Sequence, residues 1–191
     1  MAIKADMSQQ ADIKRLFSET NKKFGHLDIL VNNAGIYTFV PLEEITAEHF
    51  HKLFNLNVLG LIFACQEAVK YFKPTGGSIV NISSIASMSS EPQTTVYSAT
   101  KAAVDSITRG LAKELGPRSI RINSINPGLV ETEGVQTAGF DKGDFRDHLE
   151  AKTPLGRIGQ PKDIAPAVAF LGSDDASWIT GETLVISGGM R

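Results

Sequence analysis

The sequence predicts an α/β fold: a single doubly wound parallel β-sheet with helices on both faces. Three observations carry that expectation. Short apolar, β-branched runs alternate with longer helical patterns along the chain, which requires crossover connections and therefore parallel strands. No linker, internal repeat or low-complexity tract divides residues 1–191, so one domain suffices. With 191 residues, 42% hydrophobic and 21% charged, the chain has enough apolar material for one sizeable core.

Taken in order, Ala2–Asp6 (AIKAD) reads as a strand, and Ser8 then caps a helix in which Ile13, Leu16, Phe17 and Phe24 recur at helical spacing. HLDILVNNAG reads as a strand ending in a turn at Gly35. Thr46 opens a long helix through Tyr71, and GGSIVNIS is a buried strand. A helix from Val96 to Leu115 stops at Gly116-Pro117. SIRINSINPG is another strand closed by a turn. After a loop rich in glycine and charge from Thr132 to Asp147, Pro161–Gly172 forms a helix and GETLVISGG the final strand.

Charge and composition narrow the function. A net charge of −2 without a dense Lys/Arg run argues against a nucleic-acid surface and leaves a small molecule or another protein as partner. The one cysteine, Cys65, sits in the apolar run VLGLIFACQEAV and reads as a small core residue. The opening MAIKADMSQQ lacks a signal-peptide stretch, and no run approaches the ~20 apolar residues of a membrane span. A cytoplasmic protein with no membrane association is expected. His49 and His51 stand two apart and point to different sides of a helix, so no metal site is expected. Glu43-Glu44 and Asp174-Asp175 suit helix starts, and Trp178 reads as packing.

Ligands of open parallel sheets bind at the carboxyl ends of the strands. The polar, turn-forming segments of this sequence fall there: Asn32–Gly35 (NNAG), Ser83-Ser84, and Asn126–Gly128 (NPG). Each alone reads equally as a tight turn. Just after the second edge comes VYSATK, with Tyr97 and Lys101 on one helix face, roughly 5–6 Å apart between Cβ atoms. Reducing a carbonyl needs a hydride on carbon and a proton on oxygen, and a hydride donor gives only the first. A phenol tuned toward the working pH by an ammonium can give the proton, while a hydroxyl such as that of Ser84 stabilises charge on the carbonyl oxygen. Considered singly, Ser84 also reads as a strand-end hydroxyl bonded to a loop amide, and Asn57 as a helix residue bonded to backbone.

Along its whole length the sequence resembles the short-chain dehydrogenase/reductase family. LDILVNNAG, the asparagine of FNLNVLG, GSIVNISS, YSATK, INPGLVET, PLGRIGQPKDIA and the terminal ITGETLVISGG carry the resemblance. Members of the 3-oxoacyl-acyl carrier protein reductase and glucose 1-dehydrogenase type are similar to it. The resemblance implies a Rossmann-type fold in which Tyr97 is the general acid/base. Lys101 lowers its pKa and holds the nicotinamide ribose, Ser84 binds the substrate carbonyl, and Asn57 holds a water that relays protons to Lys101. Asn33, Ala34 and Gly35 match the turn passing the adenosine ribose; Pro127, Gly128, Val130 and Thr132 match the segment against the nicotinamide carboxamide. Asp6 matches an adenine contact, and reads equally as a helix N-terminal carboxylate. The implied cofactor is NAD or NADP, the substrate a ketone or secondary alcohol whose identity rests with the variable loop Glu133–Lys152.

The same resemblance implies association and truncation. Helices Glu48–Tyr71 and Val96–Leu115 would pair with their copies into a homodimer or homotetramer. The chain begins at what would be the family's third strand, so the first two strands and the Gly-rich turn are absent, ~60 residues at ~30 per βαβ unit. Weak cofactor binding by the chain as written is the expectation. A non-catalytic subunit acting through association is the alternative. A nucleotide-sugar epimerase, which shares Tyr-x-x-x-Lys, fits less well, because the short ending SGGMR leaves no room for a sugar-binding extension.

Overall fold

The computed structural model of the chain describes residues 1–137 and 143–191, and at 144 and 145 the backbone only. Its elements run α1 (Gln10–Phe24), β1 (Ile29–Asn32), α2 (Ala47–Phe54), a wide π turn (Asn55–Gly60), α3 (Leu61–Ala68), β2 (Gly77–Ile82), α4 (Thr95–Leu115), β3 (Ile120–Pro127), α5 (Glu133–Thr137), α6 (Gly143–Lys152), α7 (Pro161–Gly172) and β4 (Thr183–Ile186). Local chemistry sets several of these boundaries. Thr46 Oγ1 accepts the His49 amide at 3.1 Å and starts α2. Gln160 and Asp163 form a capping box, and Pro161 takes the first position of α7, where its missing N–H costs nothing. Gly25 ends α1 at φ 83°, a conformation that suits a residue without Cβ.

The four strands are parallel in the order β1-β2-β3-β4, with Ile29 opposite Ser78, Ser78 opposite Arg121 and Ser124 opposite Thr183. Side chains alternate between faces. Ile79, Ile120 and Ile122 pack under α3 and α4 with Leu61, Cys65 and Val104. Val80 and Ile125 pack on the opposite face with Leu171 of α7 and Ala176. Ile13 and Phe17 of α1 pack against Ala64 and Ala68 of α3, which makes a further layer outside the first face. Among the described residues no helix is long and apolar enough to cross a membrane.

Five expectations need correction. Ala2–Asp6 forms no strand among the described residues, because its polar groups go to α1 instead. The Asp6 amide donates to Asp12 Oδ2 at 2.8 Å, and the Lys4 carbonyl accepts from Arg15 at 2.6 Å. Ser8 does not cap α1; Gln9 occupies that position and Ser8 Oγ donates to Asp6 at 2.7 Å. The Thr46–Tyr71 helix is two α-helices joined by the π turn, and the last of them ends at Ala68. Trp178 is 99% exposed rather than packed, since the turn before it buries Ala176 in its place. The stretch from Thr132 to Asp147 is not a loop throughout: it holds α5 and the start of α6, and its middle, residues 138–142, lies outside the described residues.

Candidate active site

The carboxyl ends of β1, β2 and β3 bring the polar segments together around one lysine. Lys101, on α4, is 8% exposed and donates from Nζ to the Ile82 carbonyl, the last residue of β2, at 3.0 Å. The Ser83 hydroxyl next to it donates to the Lys101 carbonyl at 3.1 Å, so β2 and α4 are fastened at both ends of the side chain. Burial lowers the ammonium to about 8 from 10.5, and the Asp105 carboxylate opposes that shift.

Tyr97 lies one helical turn earlier, with Lys101 Nζ 5.7 Å from its ring centroid. Contrary to the expectation that Lys101 lowers it, the phenol stands above its ordinary value: burial pushes it up, a hydrogen-bonding influence of Ser84 pulls it down, and nearby Tyr37 raises it further. Ser84 follows β2 and starts the short turn Ile85–Ser87, where its Oγ accepts the Ala86 amide at 3.2 Å. The strand-end hydroxyl bonded to a loop amide is thus present, and the same hydroxyl also meets Tyr97.

Asn57 occupies the π turn, a widening of the helix that recurs at functional sites. It is 3% exposed, and its amide grips the backbone of Ile36 twice: Oδ1 accepts from the Ile36 nitrogen at 2.9 Å and Nδ2 donates to the Ile36 carbonyl at 2.8 Å. A third bond runs from Nδ2 to Thr100 Oγ1 at 3.2 Å. These bonds hang the NNAG turn on α4. Gly35 passes so close that a Cβ there would stand 3.3 Å from Asn57 Oδ1 and 3.8 Å from Lys101 Nζ.

The remaining positions spread outward. Asn33 and Ala34 are exposed on the turn after β1. Pro127 ends β3, and the Gly128 amide donates to the Ile186 carbonyl at 3.0 Å, with its backbone against Ser187. Val130 bridges to Gly159, and Thr132 Oγ1 accepts the Val135 amide at 3.3 Å as α5 begins. Asp6 is not drawn into this group. Its carboxylate accepts the Ser8 amide at 2.9 Å and the Ser8 hydroxyl at 2.7 Å, which hold it below the usual carboxylate range at the start of α1.

Sequence reasoning missed three neighbours. The rings of Tyr37 and Phe39 stand edge-on to Tyr97, with centroids 6.3 Å and 5.9 Å away. Asp105 is 5% exposed and takes hydrogen bonds from Ser124 Oγ at 3.1 Å and Asn126 Nδ2 at 2.8 Å. Asn126 itself reaches Ser87 Oγ at 2.9 Å and the Ser84 carbonyl at 3.3 Å. The available signals were the alternation in Tyr37-Thr38-Phe39 and the spacing of Asp105 four positions after Lys101.

Comparison with known proteins agrees in scale and kind. A family model described as enoyl-(acyl carrier protein) reductase matches residues 1–191. An uncharacterised oxidoreductase of Methylorubrum extorquens is 49% identical over 191 residues, which is all of this chain and 77% of the relative. A short-chain dehydrogenase/reductase of glucose/ribitol dehydrogenase type from Brucella melitensis superposes with a TM-score of 0.94 at 36% identity, covering 100% of this chain and 76% of that one. A gluconate 5-dehydrogenase from Burkholderia cenocepacia, solved with NADP and tartrate, gives 0.91 at 33% identity, covering 97% and 72%.

Proposed function

The chain belongs to the short-chain dehydrogenase/reductase family, and from that premise we propose an NAD(P)-dependent oxidoreductase that interconverts a ketone and a secondary alcohol at Tyr97. The observation that carries this reading is the Tyr97 ring beside the buried Lys101 ammonium, 5.7 Å from centroid to Nζ, with Ser84 close enough to pull the phenol's pKa down.

The residues present fit the nicotinamide half of such a cofactor. The backbone at Gly35 leaves a gap beside Asn57 and Lys101 that a side chain would fill, and the Lys101 and Tyr97 groups suit sugar hydroxyls. We assign Lys101, Tyr97 and Asn33–Gly35 to the ribose side, and Pro127, Gly128, Val130 and Thr132 to the carboxamide side. Bound there, the nicotinamide supplies or accepts the hydride. The family relative solved with NADP supports a nicotinamide cofactor; NAD and NADP both remain within the proposal. Asp6 is assigned to the start of α1.

In the reductive direction the Ser84 hydroxyl orients the carbonyl oxygen, and Tyr97 gives that oxygen its phenolic proton as negative charge develops there. The phenolate left behind lies near the Lys101 ammonium, which the Ile82 carbonyl holds in place. Burial disfavours each charged form alone, and the opposite charges offset that penalty for each other. Oxidation of the alcohol runs the same steps backward. Asn57 acts by fixing the Ile36 backbone and so the path of the turn at Gly35.

The test is oxidation of NADH or NADPH by the chain over a panel of ketones, followed at 340 nm. Because the chain as written is expected to bind the cofactor weakly, slow reduction of at least one ketone at high NADH or NADPH concentration is expected, and no reduction of any ketone at saturating cofactor would overturn the reading. The homodimer or homotetramer is proposed on the same footing. The outer face of α4 exposes small residues, Ala99, Ala102 and Ser106, against which a second copy can approach closely. Light scattering at micromolar concentration that gives a monomer mass would remove it.

A further inference from the structure

We propose that Tyr37 and Phe39 set the substrate class of this site: a flat, ring-bearing ketone or its alcohol, in preference to an acyclic, polyhydroxylated or carboxylate-bearing one. The inference rests on the reading of Tyr97 as the proton carrier.

The segment carrying the two rings is fixed at both ends. Asn57 holds the nitrogen and the carbonyl of Ile36 at 2.9 and 2.8 Å, immediately before Tyr37. The Val40 amide donates to the Gln93 carbonyl at 3.1 Å, just beyond Phe39. Between these anchors the side chains part. Thr38 goes to His49 of α2, with Oγ1 to Nε2 at 2.9 Å, while Tyr37 and Phe39 both turn to Tyr97. The placement of the two rings is therefore a property of pinned backbone.

The rings form a wall with a definite face. Tyr37 and Phe39 lie 5.7 Å apart at an interplanar angle of 30°, and they meet Tyr97 at 73° and 66°. The Tyr37 hydroxyl reaches α5, where it lies 3.2 Å from the point a Cβ on Gly134 would occupy. The wall thus runs from the catalytic phenol to the segment beyond β3. A carbonyl oxygen that meets both Ser84 and Tyr97 carries its substituents against these rings.

Chemistry then discriminates. A ring substituent gains dispersion and edge-to-face contact there. A hydroxyl-rich chain loses hydration against aromatic surface, and a carboxylate does so more strongly unless a cation is near. Among the described residues the cation set over the Tyr97 ring is Lys101, which is buried and already donates to the Ile82 carbonyl. Arg146 lies by Glu131 at 3.9 Å and Glu150 at 2.9 Å, so acidic partners already neutralise its charge.

The experiment measures binding of 2-tetralone, 2-octanone and 5-ketogluconate to the full chain with NADPH present, by ligand-observed NMR. Binding of 2-tetralone at least ~10-fold tighter than the other two is expected, in the range one apolar pocket supplies. Tyr37→Leu with Phe39→Leu, which keeps apolar volume and removes both rings, abolishes the preference. Tyr37→Phe keeps the preference and so checks that the Leu variant lost rings and not the fold. Equal binding of the three compounds, no binding of 2-tetralone, or an unchanged preference in the Leu variant would each overturn the proposal. Reduction that persists in Tyr97→Phe with the preference intact would instead refute the role of Tyr97 and leave the aromatic wall standing.

Discussion

Asp105 lies one helical turn beyond Lys101 on α4, and both charged side chains are sealed from water, at 5% and 8% exposure. The carboxylate raises the ammonium that burial lowers. Through Asn126 it also braces the backbone at Ser84, so one negative charge supports both the lysine and the segment that meets the tyrosine.

Lys101 should therefore titrate near 8, and Asp105→Asn should move it lower still. Among the described residues the titratable groups facing the ammonium are Tyr97 and Asp105 on its own helix; Ile82, Asn57 and Gly35 from the other elements bring no charge. Because the folded value lies below 10.5, the folded chain binds fewer protons than the unfolded one between about 8 and 10.5. The lysine's contribution to stability thus rises with pH across that window. Lysine-selective NMR reads the titration directly. A midpoint near 10.5, or no change on Asp105→Asn, contradicts the relationship.

Tyr97→Phe removes the hydroxyl proposed as proton donor and its interaction with Ser84. Ketone reduction should fall by about 10²–10⁴-fold, while unfolding free energy changes by only about 1 kcal/mol. Steady-state kinetics beside urea unfolding separates the two effects.

Asn57→Ala strips partners from the nitrogen and the carbonyl of Ile36 together. Leaving those groups unpaired should lower stability by about 2–3 kcal/mol, seen as a lower urea midpoint. A shift below a tenth of that size would mean that water replaces the amide.

Two glycines in helical backbone should respond oppositely. At Gly60 a Cβ would run into the Met7 carbonyl, so Gly60→Ala should cost about 1–3 kcal/mol. At Gly110 on α4 a Cβ meets nothing within 4 Å, so Gly110→Ala should stabilise by about 0.5–1 kcal/mol. Thermal melts that moved in the same direction for both would refute the assigned packing.

Periodicity made α4, α7 and the four strands legible, because each buries a repeating apolar set against the sheet. Ser84 and Gly35 were legible from their positions at strand ends, and Tyr97 with Lys101 from their spacing just after one of those ends, whereas Asn57, on a helix, entered only through the family resemblance. The partners were not. Asn57 bonds to Ile36, twenty-one positions away, a contact that no local pattern encodes. Asp105 looks like any charge on an exposed helix face until Ser124 and Asn126 of β3 arrive beneath it. Ala2–Asp6 has strand-like composition, but a strand needs a neighbour, and α1 takes its polar groups first.

The position of β1 at the sheet's edge has a kinetic consequence. Ile29 and Val31 are 46% and 43% exposed, while β2 and β3 are covered on both faces and hydrogen-bonded on both sides. Amide exchange should therefore run faster along the edge strands β1 and β4 than along β2 and β3, so that at the Gly35 turn opening begins with β1. Gly35 follows β1, whereas Ser84 and Lys101 are fastened to β2. A partly opened chain would release the cofactor side of the cleft before the proton-transfer side, so loss of nucleotide retention would come before any disturbance of the Tyr97–Ser84 contact.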